Sequence, residues 1–168
     1  YFDECEWNGT ADEVLDSGIN GYHGIARNGA NTIDEGQVCT RSGFFDGTDD
    51  YVEQSDIYNT LRTTASLSFW IKTNQRGDNT MWQAPGIAGI EESGGGDDIF
   101  WGWIDATGHI GVLKGNTNGA KSRSVISDNS WHHVVLTRNS SDGVCQVFID
   151  GNLENTATSE RGNVGNSF

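Results

Sequence analysis

The residues of this chain best suited to chemistry are acids and amides set in glycine-rich turns. Asp46-Gly47-Thr48-Asp49-Asp50 is one compact acidic turn, and Asp16 to Gly24 (DSGINGYHG) is a second loop. Calcium takes six to eight oxygens from carboxylates, amides and backbone carbonyls. Asp16 and Asn20 in one loop, with Asp46 and Asp49 in the other, supply that inventory and are the expected metal ligands. Ordinary turn chemistry is the competing reading, because Asp and Asn bond their own backbone in turns of every kind. A second group is aromatic. Asp97 and Asp98 precede Trp101 and Trp103, and Tyr22 with His23 stands at a loop tip. Sugars dock on exposed rings flanked by acids and amides, so these six are the expected ligand-binding residues. For Trp101 and Trp103 the competing reading is core, since tryptophan is mostly buried in folded proteins. Zinc is disfavoured. His132 and His133 are adjacent, so a strand would point them to opposite faces.

These residues need strands to hold them, and the chain supplies many. Trp131 to Asn152 (WHHVVLTRNSSDGVCQVFIDGN) reads as a β-hairpin. His133, Val135 and Thr137 alternate with His132, Val134 and Leu136, the period-2 pattern of a strand. Asn139 to Gly143 is a cluster of turn formers, and Asp150-Gly151 closes the second strand. Both strands are apolar on both faces, so at least one face needs a covering sheet. Ser66 to Thr73 is a further strand, with Leu67, Phe69 and Ile71 on one face and Ser68, Trp70 and Lys72 on the other. Ile99 to Asp105 is another, with Ile99, Trp101 and Trp103 expected on one face and Phe100 and Ile104 on the other. Trp70 and Trp131 are expected between the sheets or at their margin. Shorter strands are expected near Tyr1–Cys5, Ile25–Asn31, Cys39–Asp46, His109–Lys114, Lys121–Ile126 and Leu153–Ser159. Thr80 to Ile90 reads as a strand broken at Pro85. Helical periodicity is almost absent. Many short strands with regular turns indicate an all-β, two-sheet antiparallel sandwich.

Composition narrows the partners. The chain has 168 residues, enough for one domain with a core, and a net charge of −14. That charge repels phosphate backbones and anionic membranes and favours divalent cations, so nucleic acid is not an expected partner. No apolar run approaches the ~18 residues that would cross a bilayer, so no direct membrane insertion is expected. The chain starts at Tyr1 rather than Met and reads as a processed piece of something longer. Of three cysteines, Cys5 and Cys39 are the natural pair if the protein is exported. Closing that loop of 39 − 5 = 34 residues would contribute roughly 3–4 kcal/mol. In a reducing compartment all three would be thiols. Cys145 shares its face with Val147 and Ile149 and is expected to be a buried free thiol.

Four segments in register resemble laminin-G-like, concanavalin A-like jelly rolls. They are the Asp16-to-Gly24 loop, Phe45-Asp46-Gly47-Thr48-Asp49-Asp50-Tyr51-Val52, the strand Ser66-to-Thr73 and the Trp131-to-Gly151 hairpin. The opening Tyr1-Phe2-Asp3-Glu4-Cys5, with Trp7-Asn8-Gly9 and Cys39, is similar to the laminin-G-like domain of bacterial mannose-sensitive haemagglutinin (MSHA) pilus biogenesis proteins. The resemblance implies one jelly-roll domain over 1–168, carried on the bacterial surface or outer envelope, extracellular, and pilus-associated. It implies a structural calcium near the two loops. It also implies a non-catalytic adhesion module binding a glycan or an extracellular protein, or else a purely structural part of a large envelope protein. Family members end in an Ile-Asp-Glu-Val-like strand beside the first strand. No such sequence follows Gly162, so either the last strand is missing or the sandwich closes differently. Catalysis is not expected. Jelly-roll glycoside hydrolases hold two carboxylates roughly 5–10 Å apart on a Glu-x-Asp-x-x-Glu strand that this chain lacks. Its Glu91-Glu92 and Asp97-Asp98 pairs lie in a glycine-rich loop, and Gly-x-Ser-x-Gly does not occur.

Overall fold

The computed structural model describes residues 7–54, 56–90, 97–115 and 119–165. The expected first strand, Tyr1–Cys5, lies outside them, as do Glu91 and Glu92. The chain divides into two compact units, Tyr1–Tyr58 and Asn59–Phe168.

The first unit is built from short strands: β1 (Ile25–Arg27), β2 (Asn31–Ile33), β3 (Ser42–Phe44) and β4 (Tyr51–Glu53). β1 pairs with β4 and β2 with β3, both antiparallel. The single strand expected over Ile25–Asn31 is split by Asn28-Gly29. Both residues have positive φ, 60° and 118°, and the Ala30 N–H closes the turn on the Arg27 carbonyl at 3.1 Å. Asn and Gly tolerate that left-handed backbone, which ends the strand. Trp7, Val14, Ala26 and Ala30 form a small core of their own, with Val52 packed on it. Cys39 is a half-buried free thiol, and its expected partner Cys5 is outside the described residues.

The second unit opens on a one-turn helix, α1 (Tyr58–Leu61), at the boundary, followed by β5 (Ala65–Lys72) and a 3-10 turn at Met81–Gln83. Then come β6 (Ala88–Ile90), β7 (Ile99–Ile104), β8 (Ile110–Lys114), β9 (Ala120–Lys121), β10 (Trp131–Arg138), β11 (Val144–Ile149) and β12 (Asn152–Thr158). They form two antiparallel four-stranded sheets, ordered β12-β11-β10-β5 and β6-β7-β8-β9. The sheets face each other. Val134, Leu136, Cys145, Val147 and Ile149 of one meet Ile99, Trp101, Ile104, Ile110 and Val112 of the other. Each fully buried aliphatic side chain there contributes about 1.5–3 kcal/mol relative to exposure. The described chain is thus nearly all-β, as its strand pattern indicates, and the second unit is the two-sheet antiparallel sandwich. The central hairpin forms where expected, with Val134 opposite Ile149 and Arg138 opposite Cys145, and Cys145 is a buried free thiol beside Val147 and Ile149.

β7 departs from simple alternation. Its pairing with β8 shifts between Trp101 and Trp103, around Gly102 at φ 79°. A bulge turns every later side chain over. Trp101 and Ile104 therefore both enter the core, and Trp103 leaves it for the outer face. Trp103 lies there against Gly111, where a Cβ would come within 2.7 Å of its indole nitrogen. Lys121 stands 5.9 Å above the ring.

After β12 the chain does not trail away. The Gly162 N–H bonds the Ser140 carbonyl at 2.7 Å, and the Val164 N–H bonds the Arg62 carbonyl at 3.0 Å. Val164 is 2% exposed and belongs to the core. Arg138, 1% exposed, holds this segment by donating to the carbonyls of Thr63, Glu160 and Gly162.

Candidate functional site

The acids that come together are those of the link between β3 and β4. One carboxylate oxygen each from Asp46, Asp49 and Asp50 lies within 4.8 Å of the others. Asp46 and Asp49 are exposed and Asp50 is half-buried. The turn is shaped by its own acids. Asp46 Oδ1 accepts from the Thr48 N–H at 2.7 Å, and Asp50 Oδ2 accepts from the Asp46 N–H at 2.8 Å. The β1–β2 turn supports it: the Asn28 side-chain amide donates to the Asp49 carbonyl at 2.9 Å. Gly29 sits so close that a Cβ there would be 3.2 Å from Asp50 Oδ1.

Two oxygens on one calcium, each 2.3–2.6 Å away, stand at most about 5 Å apart. The measured spacing fits that limit. The basic side chains of this unit are engaged elsewhere, Arg27 with Glu53 and Arg41 with Asp34. Among the described residues none neutralises the three carboxylates, so the charge is left for a cation. Exposed rings flank the turn: Phe44, Phe45 and Tyr51 are 47%, 42% and 49% exposed. The turn thus offers carboxylate oxygens and aromatic surface on one short stretch.

Asp16 does not join this cluster. Asp16 closes its own loop, accepting from the Gly18 N–H at 2.7 Å and the Tyr22 N–H at 2.8 Å. Those two bonds, Gly18 first, hold its carboxyl below the ordinary range. Asn20 is exposed in the same loop. Tyr22 is 37% exposed, while His23 is half-buried and its Nδ1 accepts from the Asp16 N–H at 2.9 Å.

The expected aromatic platform at β7 is not open. Trp101 is 0% exposed, and its indole N–H donates to the Leu61 carbonyl at 3.1 Å. Trp103 is 8% exposed. Asp98 is 3% exposed, and Asp97 pairs with Lys114 at 3.3 Å. Burial removes Trp101, Trp103 and Asp98 from reach of a sugar ring, while Asp97 keeps an exposed carboxylate engaged with Lys114. The exposed tryptophans are instead Trp82, 48% accessible in the 3-10 turn, and Trp70, 40% accessible on the outer face of β5. His132 bridges Asp128 and Asp150, at 3.2 and 2.8 Å, while His133 on the opposite face meets Ser68 at 3.0 Å.

The laminin-G family model of the concanavalin A-like lectin/glucanases superfamily matches residues 46–168. The chain belongs to this superfamily. The match begins at the first acid of the candidate turn and covers the whole eight-stranded sandwich. Laminin-G-like domains are commonly binding modules and generally non-catalytic. No curated protein matches the chain.

Proposed function

We propose that this domain is a non-catalytic recognition module of an exported bacterial surface or pilus-associated protein, akin to the MSHA pilus biogenesis proteins. It takes a glycan or an extracellular protein at the β3–β4 turn. The observation that carries the reading is the set of three carboxylates within one ion's reach, without a basic neighbour and between exposed rings. Asp46, Asp49 and Asp50 would hold calcium. The ion would supply open coordination positions for ligand hydroxyls or carbonyls. Phe44, Phe45 and Tyr51 offer apolar contact beside it, and Asn28 fixes the turn from behind. Affinity for calcium is expected on the order of 10⁻⁴–10⁻³ M, the range of extracellular modules.

The test is a thermal melt with millimolar calcium and with EDTA, followed by a glycan array under both conditions. Calcium raises the melting temperature of the native domain, because an ion bound only by the folded state stabilises it by mass action. The double variant Asp46→Asn, Asp49→Asn melts at the same temperature in both buffers. A native domain indifferent to calcium would sink the metal reading. The burial of Trp101 and Trp103 favours a second reading, that of a structural part in a large envelope protein. Silence of folded protein on the array in both buffers would support it.

A further inference from the structure

We propose that the outer face of the β12-β11-β10-β5 sheet is a second binding site, one that takes a neutral oligosaccharide and needs no metal. It shares no residue with the acidic turn and stands or falls without it. Along β5, Leu67, Phe69 and Ile71 pack on the core, which leaves Ser66, Ser68 and Trp70 pointing outward. Trp70 is 40% exposed. Its ring is braced from the neighbouring strand by His133, with centroids 5.1 Å apart, and His133 is tied to Ser68 at 3.0 Å. The tryptophan is therefore held in a fixed pose at the surface.

The next rungs continue the strip. Val135 lies opposite Ser68 on one side and Phe148 on the other, and Thr137 lies between Ser66 and Gln146. Over this last rung is an open depression of about 440 Å³, which Thr64, Asn139 and Asp142 also line. Four residues of strand separate Trp70 from Ser66, roughly 13 Å. An indole plate, an apolar waist and a polar hollow thus follow one another along β5 and β10.

That sequence of surfaces matches a chain of pyranose rings. Each ring has a C–H face that packs on indole and hydroxyls that bond Ser, Thr and Gln. The available polar groups are hydroxyls, amides and the Asp142 carboxylate, all able to bond sugar hydroxyls; Gln146 makes a 3.4 Å contact with Thr156. The one cation lining the hollow is Arg138, which is 1% exposed with its terminal nitrogens on three carbonyls. Within the hollow the Asp142 carboxylate repels a sulfate, phosphate or uronate, and the net charge of −14 does so over the whole surface.

Calorimetric titration with neutral tetrasaccharides of glucose, mannose, galactose and N-acetylglucosamine, in calcium and in EDTA, tests the site. At least one is expected to bind saturably, with equal affinity in both buffers. Trp70→Ala should weaken it about tenfold or more, since the stacked ring is lost. Gln146→Ala should weaken it less, and serves alone if Trp70→Ala does not fold. The double variant Asp46→Asn, Asp49→Asn should bind as the native domain does. Failure of all four sugars to bind overturns the proposal, as does binding that survives both Trp70→Ala and Gln146→Ala. Binding abolished by EDTA and by the double variant overturns it too, and would instead support recognition at the acidic turn.

Discussion

Trp101→Ala is expected to destabilise the sandwich by about 3–5 kcal/mol, the usual cost of emptying a buried aromatic site. The indole is 0% exposed and packs where both sheets contribute side chains. It also makes a bond that no aliphatic residue can replace, from Nε1 to the Leu61 carbonyl at 3.1 Å. That carbonyl ends α1, where the helix supplies no donor of its own. Trp101→Phe separates the two contributions. It retains most of the apolar contact and orphans the carbonyl, at about 1–3 kcal/mol. Urea denaturation of the three proteins measures both steps. A loss below about 1 kcal/mol for Trp101→Ala would mean that the ring is not core, and would reopen the ligand platform at β7.

The case of β7 shows where sequence pattern stops. Alternation in Ile99 to Asp105 assigns Ile99, Trp101 and Trp103 to one face, and the first two do share it. Gly102 breaks the rule. Its residue type permits a bulge, but nothing in the local pattern requires one. The bulge is set by pairing with β8, where Gly111 leaves room for the Trp103 ring. Long strands with unbroken alternation were legible: β5, β10 and β11 lie within one residue of their expected bounds. β12 was legible only as a weak strand, because its polar sequence, NLENTAT, carries little periodicity. The strand expected over Lys121–Ile126 shrinks to Ala120–Lys121. Beyond it the backbone turns toward Glu154, whose carboxylate accepts from the N–H groups of Arg123 and Ser124.

The candidate site was half legible. Asp46 and Asp49 could be read from their turn, and Asp50 was the member of the acidic cluster missed, although it adjoins Asp49 in the same stretch. The signal was there in three acids over five residues. Asp16 was read as a partner because its loop has similar chemistry. Loop chemistry does not say whether a carboxylate turns to its own backbone, and here both its oxygens do. Trp70 was placed on the face of β5 that carries Ser68 and Lys72, but was expected between the sheets or at their margin. Only the structure shows that nothing covers it enough to hide the ring.

Asp105 carries the second large effect, and no motif announces it. The carboxylate is 1% exposed. Oδ1 accepts from the Thr107 N–H at 2.8 Å, the Thr107 hydroxyl at 2.7 Å and the His109 N–H at 3.0 Å. Oδ2 accepts from Lys121 Nζ at 2.6 Å. It thereby holds the β7–β8 turn and ties it to β9. Burial alone would raise its pKa. The Lys121 ammonium, then the His109 and Thr107 donors, outweigh burial and hold it well below the ordinary carboxylate range. A depressed folded pKa gives stability that is complete above the unfolded value, about 3.9, and is lost as pH falls below it. Asp105→Ala leaves two N–H groups without that acceptor and is expected to cost about 3–4 kcal/mol at pH 7. Asp105→Asn retains an acceptor for the turn and removes the charge, so it should cost less and should not titrate. Denaturation at pH 7, 4 and 3 compares Asp105→Asn with the native domain, and the other carboxylates act equally in both. The native advantage should therefore shrink as pH falls from 4 to 3. An advantage unchanged across the three pH values would show that an ionised Asp105 is not what fastens this end of the sandwich.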